Sequence, residues 1–424
     1  MAVSITEDPE NPSLDHESEY PDGGWRAWSV VLGSWCAMVP SFGLLNTIGV
    51  LEAWLANNQL KDYSKASIGW IFSLYSFFLY FGSVQVGPAF DAYGLKPLLI
   101  PGCIGLIGSI MVLSVAKEYY QFMLGFSVLG GISSSMVFTP SVACLTHWFL
   151  RRRALATGIA ATAGGFGGII FPIIIYNLSE TVGFPWAIRI LGFICCAFCI
   201  LCILFLKTRL PPSTNANNNG KINLRALCEM PFTFLTIAII LIDFALLIPL
   251  TYLPSYAEAH GLPSSLSYQL ASILNAASIF GRAVPGYFAD RFGRFNVMII
   301  TTFVCALFTL TIWMPAASND AAIIAYAILF GFWSGSAISL APVCVAQISE
   351  TAEYGRRYGT VYSFVSVGAL VAIPIAGEIL SANSTPYHEE YLGLVGFCGG
   401  VYFLAGVFFT LSRWKCTGSL VGVF

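Results

Sequence analysis

The stretch Gly87–Lys96 reads GPAFDAYGLK, and the stretch Gly286–Arg294 reads GYFADRFGR. Each follows a long apolar run, and the Gly, Asp and second Gly of the two stretches recur with every matching pair 199 residues apart. Arginine clusters at Arg151–Arg153 and Arg356–Arg357 recur at a similar separation. Two parallel halves are typical of membrane transporters in which the substrate site lies between the halves, near the middle of the bilayer. The repeat therefore predicts two equivalent halves around a central site.

The composition of the chain agrees with a membrane location. Of 424 residues, 57% are hydrophobic and only 10% are charged, and the mean hydropathy is +0.75. A soluble globular protein carries roughly 25% charged residues. A helix that crosses a bilayer needs about 20 residues, so the apolar side chains suffice for twelve crossings. These values exclude a soluble enzyme, a disordered chain and a nucleic-acid-binding protein.

Twelve apolar runs are separated by short polar breaks, and we predict an all-α membrane protein with twelve transmembrane helices in two six-helix pseudo-repeats. The widest interior break contains two prolines and an asparagine run, which is typical of a linker. The predicted spans are Ala27–Trp54, Ser67–Phe90, Pro97–Val115, Tyr119–Trp148, Ala154–Leu178, Trp186–Leu206, Pro231–Tyr256, Ser267–Ala289, Phe295–Pro315, Ala321–Ile348, Tyr358–Leu380 and Tyr391–Trp414. The predicted domains are a disordered acidic tail (1–25), an N-terminal half (26–207), a cytoplasmic linker (208–230), a C-terminal half (231–414) and a short cytoplasmic tail (415–424).

The distribution of charge predicts the orientation of the chain. Residues 1–22 contain seven acidic side chains and no Lys or Arg, and they lack the basic start and apolar run of a signal peptide. With both termini on one side, that side receives fifteen Lys or Arg residues and the opposite loops receive three. Because basic loops stay in the cytoplasm, both termini are predicted to be cytoplasmic, with the plasma membrane favoured over an internal membrane. The glycosylation triplets at Asn177 and Asn383 then lie outside.

Two of the charged residues within predicted helices are the main candidates for function. Arg282, in helix eight, must face a cavity or a partner, because a charge at the bilayer centre costs about 2.5–3.5 kcal/mol even on the lenient insertion scale. Its planar guanidinium suits a substrate carboxylate, although an acidic partner or helix carbonyls would also satisfy it. Asp243, in helix seven, fits a proton-coupling role, a permanent pairing with Arg282, or a capped position near the bend at Pro249.

Polar side chains of other predicted helices complete a candidate substrate site. Asn46 and Asn275 are amides expected to face the interior, where each offers donors and an acceptor to a substrate. Hydrogen bonding between helices is the alternative role for such amides. Tyr75 and Tyr252 are weaker substrate-binding candidates, because most aromatic residues of a membrane protein serve packing or anchoring at the interface.

The two repeated loops and the basic cluster before helix five are interpreted as gating elements. Glycine permits the tight turn, and the aspartate can pair with basic residues of a neighbouring helix while the cytoplasmic side is closed. The basic cluster either takes part in this pairing or only sets the topology. The gating candidates are Asp91, Gly94, Lys96, Arg152, Arg153, Asp290, Arg291, Gly293 and Arg294.

The loop pattern G-x-x-x-D-x-x-G, followed within two residues by a basic residue, resembles the signature of the major facilitator superfamily. The segment Pro21–Trp25, PDGGW, resembles the entry motif of the monocarboxylate porter family, and His147–Ala160 is similar to that family's second motif. The resemblance covers the whole chain in topology. Within the family the sequence is similar to the fungal members, which include transporters of carboxylates, vitamins and secondary metabolites. It implies the major facilitator fold and places Arg282 at the family's helix-eight arginine.

Two positions depart from the pattern of the family members that carry lactate-like acids with a proton. Those members have a lysine in the middle of helix one and an aspartate four residues before the helix-eight arginine. The corresponding residues here are Asn46 and Ser278. The departures weigh against proton-coupled monocarboxylate transport, whereas the anion-binding arginine remains.

The sequence therefore predicts a secondary active transporter that moves a small organic acid or a carboxylate-bearing metabolite, with proton coupling left open. Two alternatives also stay open: efflux of a larger amphipathic secondary metabolite or drug, and a non-transporting membrane sensor with the same fold. The expected partners are the small-molecule substrate and the lipid bilayer, with no nucleic acid. No enzyme activity, cofactor or metal is predicted, and no oligomeric state follows from the sequence.

Overall fold

The computed structural model describes residues 20–63, 65–210, 224–316, 319–382 and 390–418. In these residues twelve long helices follow one another, and the longest connection between them separates Phe205 from Met230. The helices are α1 (Gly24–Leu45, continued by Ile48–Asn57), α2 (Lys65–Phe81 and Ser83–Tyr93), α3 (Lys96–Val115), α4 (Tyr119–Trp148), α5 (Arg153–Thr181), α6 (Phe184–Phe205), α7 (Met230–Ala259), α8 (Ser264–Phe292), α9 (Arg294–Trp313), α10 (Asp320–Gln347), α11 (Tyr354–Ala382) and α12 (Glu390–Thr417). The predicted all-α membrane fold with twelve helices is confirmed.

Eleven of these helices are long and apolar enough to cross a membrane. Many of their large apolar side chains point outward, as Phe193 and Leu204 of α6 do, which are 59% and 60% exposed. Such a surface is stable when the surrounding solvent is hydrocarbon. The remaining helix, α8, has 29 residues and is more polar than the other eleven. It places Asn275, Ser278 and Arg282 in buried positions, so its polar side chains avoid the lipid.

The helices form two groups of six with matching contacts. In the first group α1 packs against α4, α5 and α6, and in the second group α7 packs against α11 and α12. The most extensive contacts between the groups are those of α5 with α8 and of α2 with α11. Because α8 is the counterpart of α2 and α11 that of α5, the two crossings are equivalent under the repeat. These four helices border the space in which a site between the halves would lie.

Glycine lets the helices of both crossings approach closely. A Cβ on Gly158 of α5 would lie 2.2 Å from the carbonyl oxygen of Arg282 in α8. A Cβ on Gly87 of α2 would lie 2.1 Å from the carbonyl oxygen of Gly355 in α11. Both separations are far shorter than van der Waals contact, so a larger residue at either glycine would force the two halves apart.

Some boundaries differ from the predicted ones. Helix α1 begins at Gly24, before the predicted start of the N-terminal half. The helix is interrupted at Asn46 and Thr47, within the predicted span. The break is a tightened turn, in which the N–H of Thr47 donates to the carbonyl oxygen of Leu44 at 3.0 Å. Outside the described residues lie most of the predicted acidic tail (1–19), much of the linker (211–223), the end of the C-terminal tail (419–424) and Asn383.

Candidate functional site

Arg282 lies where α8 crosses α5, at the boundary between the two halves. Its side chain is 1% exposed, and its Nη1 donates to the carbonyl oxygen of Ala161 at 2.7 Å. Gly164, one turn further along α5, leaves room for the guanidinium, since a Cβ there would lie 2.7 Å from Nη1. In the described part of the chain the buried Nε of Arg282 has no hydrogen-bond partner, and the residue forms no ion pair. The guanidinium therefore keeps donor capacity for a further acceptor.

The two candidate amides flank the same stretch of α5. Asn46 donates its Nδ2 to the carbonyl oxygen of Gly164 at 2.8 Å. A Cβ on Gly168 would lie 2.8 Å from the Cβ of Asn46 and 3.2 Å from the Nδ2 of Asn275, so both amides reach α5 at this glycine. Asn275 is 4% exposed and donates to a carbonyl oxygen of its own helix. The structure thus brings Asn46, Asn275 and Arg282 together around α5.

Asp243 of α7 approaches this region from the C-terminal half. Its Oδ2 is buried and has no hydrogen-bond partner among the described residues. The carboxyl group lies near Tyr80 of α2 and Tyr362 of α11, whose ring centres are 5.6 Å apart across the boundary. Tyr80 also lies near Arg282. We use the name central group for Asn46, Tyr80, Asp243, Asn275, Arg282 and Tyr362.

Sequence reasoning missed two members of the central group, Tyr80 and Tyr362. Tyr80 stands in the apolar run FFLYF, where nothing distinguishes it from a packing aromatic residue. Tyr362 had one available signal, because Tyr354, Tyr358 and Tyr362 recur every fourth residue and share one face of α11. The rings of Tyr358 and Tyr362 stack with centres 4.3 Å apart, so this face is an aromatic ladder that ends at the central group.

Two predicted substrate-binding residues lie elsewhere. Tyr75 is fully buried inside the N-terminal half, where its hydroxyl donates to the carbonyl oxygen of Ser41 at 3.3 Å and lies 2.7 Å from the Oγ of Ser134. Tyr252 lies further along α7 than Asp243 and donates its hydroxyl to the carbonyl oxygen of Ile373 at 3.1 Å. Each hydroxyl is therefore engaged within its own half of the molecule.

We use the name motif face for the side of the bundle that carries Gly87–Lys96 and Gly286–Arg294. There Asp91, at the end of α2, binds the start of α11 through the backbone N–H groups of Gly355 at 3.3 Å and Arg356 at 2.9 Å. The N–H groups of a helix's first turn have no partner within the helix, and the helix dipole favours an anion beside them. Asp91 thus joins the two halves by capping α11.

Asp290, at the end of α8, repeats this arrangement with the halves exchanged. Its carboxylate accepts the backbone N–H groups of Ala154 at 3.0 Å and Leu155 at 2.8 Å, at the start of α5. The Nε of Arg294 lies 3.5 Å from the carboxylate, and its two terminal nitrogens donate to a side-chain oxygen of α10 and to the carbonyl oxygen of Leu150. The two caps therefore match the 199-residue repeat, and each joins the two halves at the motif face.

Three further gating candidates lie at the motif face. Gly94 and Gly293 end α2 and α8 with φ angles of 79° and 94°, which glycine adopts without strain. Arg153 is 3% exposed, and its Nη1 donates to the carbonyl oxygen of Ala346 in α10 at 3.4 Å. This bond also joins the two halves.

The other candidate residues lie on the surface. Lys96 and Arg152 are exposed at the motif face. The guanidinium of Arg291 lies 4.4 Å from the ring centre of Tyr287, on the same helix. Asn177 is exposed in the last turn of α5, at the end of that helix opposite the motif face.

The arrangement places unpaired polar groups at the boundary between the two halves. Arg282 supplies cationic donors and Asp243 a carboxyl group, and each has a buried polar atom without a hydrogen-bond partner in the described chain. A buried polar atom left unpaired is unfavourable by about 1–3 kcal/mol, so a ligand with complementary groups is favoured there. Among the described residues no three His, Cys, Asp or Glu side chains are grouped as metal ligands.

Comparison with known proteins identifies the class that this fold and site define. The chain matches the family model of the Major Facilitator Superfamily over residues 30–318 and 277–415. It belongs to that superfamily, whose members are membrane transporters, and the predicted superfamily and transport role are confirmed.

Similar proteins are transporters and not enzymes. The riboflavin transporter MCH5 of Saccharomyces cerevisiae is 34% identical over 432 residues, which cover 97% of this chain and 82% of that protein. The fujikurins efflux protein of Gibberella fujikuroi is 39% identical over 393 residues, which cover 92% of this chain and 84% of that protein. The solved structure of the proton:xylose symporter XylE has a TM-score of 0.71 at 12% identity and covers 93% of this chain and 95% of that chain, which shows the fold.

Proposed function

We propose that the protein carries a small organic acid or a carboxylate-bearing metabolite by alternating access, with Arg282 as the anion anchor. The observation that carries the proposal is the guanidinium of Arg282, which is buried between the halves with an unpartnered Nε and no ion pair in the described chain. A planar fork with free donors suits a carboxylate. A carboxylate bound there competes with the bond from Arg282 to Ala161 and thereby links substrate binding to the contact between the halves.

Uptake into proteoliposomes tests the role of Arg282. With labelled monocarboxylates, Arg282→Gln is expected to lower saturable uptake at least about 10-fold, and Arg282→Lys to retain part of it because the charge stays but the fork is lost. Arg189→Gln is the matched control, since that guanidinium lies 5.0 Å from the ring centre of Trp186 in the same helix, outside the central group. Failure to find any Arg282-dependent uptake across a broad panel of acids would refute the proposal.

We propose that Asp243 carries a coupled proton. The proposal is supported by the buried Oδ2 without a partner and by the absence, among the described residues, of an ion pair with Arg282, which leaves the carboxyl group available for protonation. In Asp243→Asn we expect accumulation driven by a pH gradient to be lost, while substrate exchange without a gradient persists. Accumulation that follows the gradient equally well in this variant would remove Asp243 from the coupling mechanism.

We propose that Asp91 and Asp290 close the motif face in one state and release it in the other. Each carboxylate caps a helix of the opposite half, so both caps must break when the halves separate there. In this gate Gly94 and Gly293 shape the turns, and Arg153 and Arg294 add bonds between the halves. The remaining basic candidates, Lys96, Arg152 and Arg291, lie at the same face and favour its cytoplasmic placement.

Efflux of a larger amphipathic metabolite is the second candidate function. The facing rings of Tyr80 and Tyr362 favour it, because they offer an aromatic surface to a planar solute at the boundary between the halves. It is also favoured by Asn46 and Ser278, which stand where lactate carriers have charged residues. Untargeted comparison of the metabolites in the medium of cells with and without the protein separates the two functions. If the protein exports a metabolite, cells that lack the protein should accumulate that compound, and it should be missing from their medium.

We infer that the chain is a fungal-type member of the monocarboxylate porter family in the plasma membrane, with both termini and the motif face cytoplasmic. The motifs at Pro21–Trp25 and His147–Ala160 support the family, and the bias of basic residues supports the orientation. Terminal epitope tags should then be detected only after cells are permeabilised. Asn177 lies at the opposite end of α5 and is an acceptor for glycan in this orientation. The glycan-dependent mobility shift should become smaller in Asn177→Gln, because the triplet at Asn383 remains.

A further inference from the structure

The segment Tyr20–Asp22 precedes α1 and is held on the motif face by the N-terminal half. The Oδ1 of Asp22 accepts three successive backbone N–H groups, from Leu150 at 2.8 Å, Arg151 at 2.9 Å and Arg152 at 3.2 Å. The N–H of Asp22 donates to the carbonyl oxygen of Trp148 at 3.2 Å. Asp22 adopts a φ of 44°, a conformation that aspartate tolerates better than most residues. These four bonds fix the segment to the turn between α4 and α5.

Tyr20 reaches from this anchor to the C-terminal half. Its hydroxyl lies 2.9 Å from the Oγ1 of Thr351, a residue 331 positions away in the turn between α10 and α11. The guanidinium of Arg209 lies 5.0 Å from the ring centre of Tyr20, and its Nε donates to the carbonyl oxygen of His147 at 2.8 Å. The ring is thus positioned from the N-terminal half while the hydroxyl bonds the other half.

The anchor of Asp22 also touches the gate itself. Leu150 donates its N–H to Asp22, and its carbonyl oxygen accepts from Arg294, the residue that also contacts Asp290. Asp22 therefore positions the carbonyl group of Leu150. Through that group Arg294 of the C-terminal half binds the turn between α4 and α5. A change in the segment before α1 is transmitted to both sides of the boundary.

We propose that Tyr20–Asp22 is a strap that keeps the motif face closed, with Asp22 as its anchor and the Tyr20–Thr351 bond as its latch. The proposal rests on the alternating-access gate proposed above and adds to it a segment outside the twelve helices. Each opening of the motif face must break the latch, because its two hydroxyls belong to different halves. The strap thereby sets the ratio of open to closed molecules without contacting the central group.

Spin-label distances in the full chain test the strap. Labels are placed through Tyr93→Cys and Phe292→Cys, which are exposed and lie at matching positions of the two halves, after the accessible Cys196, Cys228 and Cys416 are changed to serine. Tyr20→Phe keeps the ring beside Arg209 and removes only the hydroxyl, and Thr351→Val removes the other partner.

Each single variant is expected to raise the ratio of open to closed molecules about 3- to 10-fold, and the double variant no further, because both remove the same bond. Asp22→Asn, which weakens the anchor, should raise the ratio at least as much. Ser29→Ala is the matched control, since among the described residues the Oγ of Ser29 bonds only a carbonyl of its own helix. Unchanged ratios in Tyr20→Phe and Thr351→Val, or effects that add in the double variant, would overturn the strap.

Asp91→Asn is measured in parallel to separate the strap from the gate. If Asp91→Asn opens the motif face and the strap variants do not, the strap is wrong and the gate stands. If the strap variants open the face and Asp91→Asn does not, the strap is supported and the cap on α11 is dispensable. If neither opens it, both proposals fail together.

Discussion

Gly164 has no side chain, and the guanidinium of Arg282 lies close to the position that a Cβ would take there. A methyl group there would stand 2.7 Å from Nη1 and 3.2 Å from the Nδ2 of Asn46. Since two polar groups of the central group meet at this point, Gly164→Ala is expected to displace the guanidinium and raise KM for the carried acid about 10-fold, equivalent to about 1.4 kcal/mol. Initial rates of uptake into proteoliposomes over a range of substrate concentrations measure the change.

Gly108→Ala is the control for this substitution. Gly108 lies in α3, and a Cβ there would meet no atom of the described chain within 4 Å. Both changes replace a helical glycine with alanine, so they share the effect on helix propensity. If the two variants transport alike, the close contact at Gly164 has no part in substrate binding, and the assignment of Arg282 as an anchor is weakened.

Among the helices, α5 and α11 depend on caps that the opposite half supplies. An N-terminal cap contributes about 0.5–2 kcal/mol, and Asp91→Asn or Asp290→Asn keeps the shape of the side chain but removes its charge. Each variant is therefore expected to favour opening of the motif face by about 5-fold or more, read as faster labelling of a cysteine introduced at Ser83. Ser83 is 1% exposed and lies beside Gly359 at the α2–α11 crossing.

The control for the caps lies at the other end of the molecule. Asp320 begins α10, where the side chain of Asn319 accepts the N–H groups of Ala321 and Ala322. Asp320→Asn thus removes a charge from a helix start without touching a contact between the halves. Equal labelling rates in Asp320→Asn and Asp91→Asn would mean that loss of charge, and not loss of the bond between halves, causes the change.

Over the whole molecule, the sequence was enough for the fold and for part of the site. Long apolar runs specify spanning helices because hydrocarbon leaves few alternatives, and the repeat of Gly87–Lys96 predicted two halves. Arg282 and Asp243 stood out because charge within a membrane span is unfavourable. The partners of the gate were not predictable, since Asp91 and Asp290 bind backbone N–H groups that carry no side-chain signal. Tyr80 was hidden for another reason, because it is one aromatic residue among many.

Alternating access also makes a prediction about the molecule as a unit. A ligand shifts an equilibrium between two states only by its difference in affinity for them. Because a bound carboxylate competes with the Arg282–Ala161 bond between the halves, the carried acid should favour the open motif face. An acid that binds the open state about 10-fold more tightly shifts the ratio of states about 10-fold at saturation.

The spin labels at Tyr93 and Phe292 measure this shift. The measurement uses the acid that the uptake experiment identifies, in a buffer that contains no acetate. The same acid should leave the spin-label distances unchanged in the Arg282→Gln variant. The Arg189→Gln variant, in which Arg282 is intact, should respond as the unsubstituted protein does. A shift that persists without the guanidinium would show that substrate and gate are linked through other members of the central group.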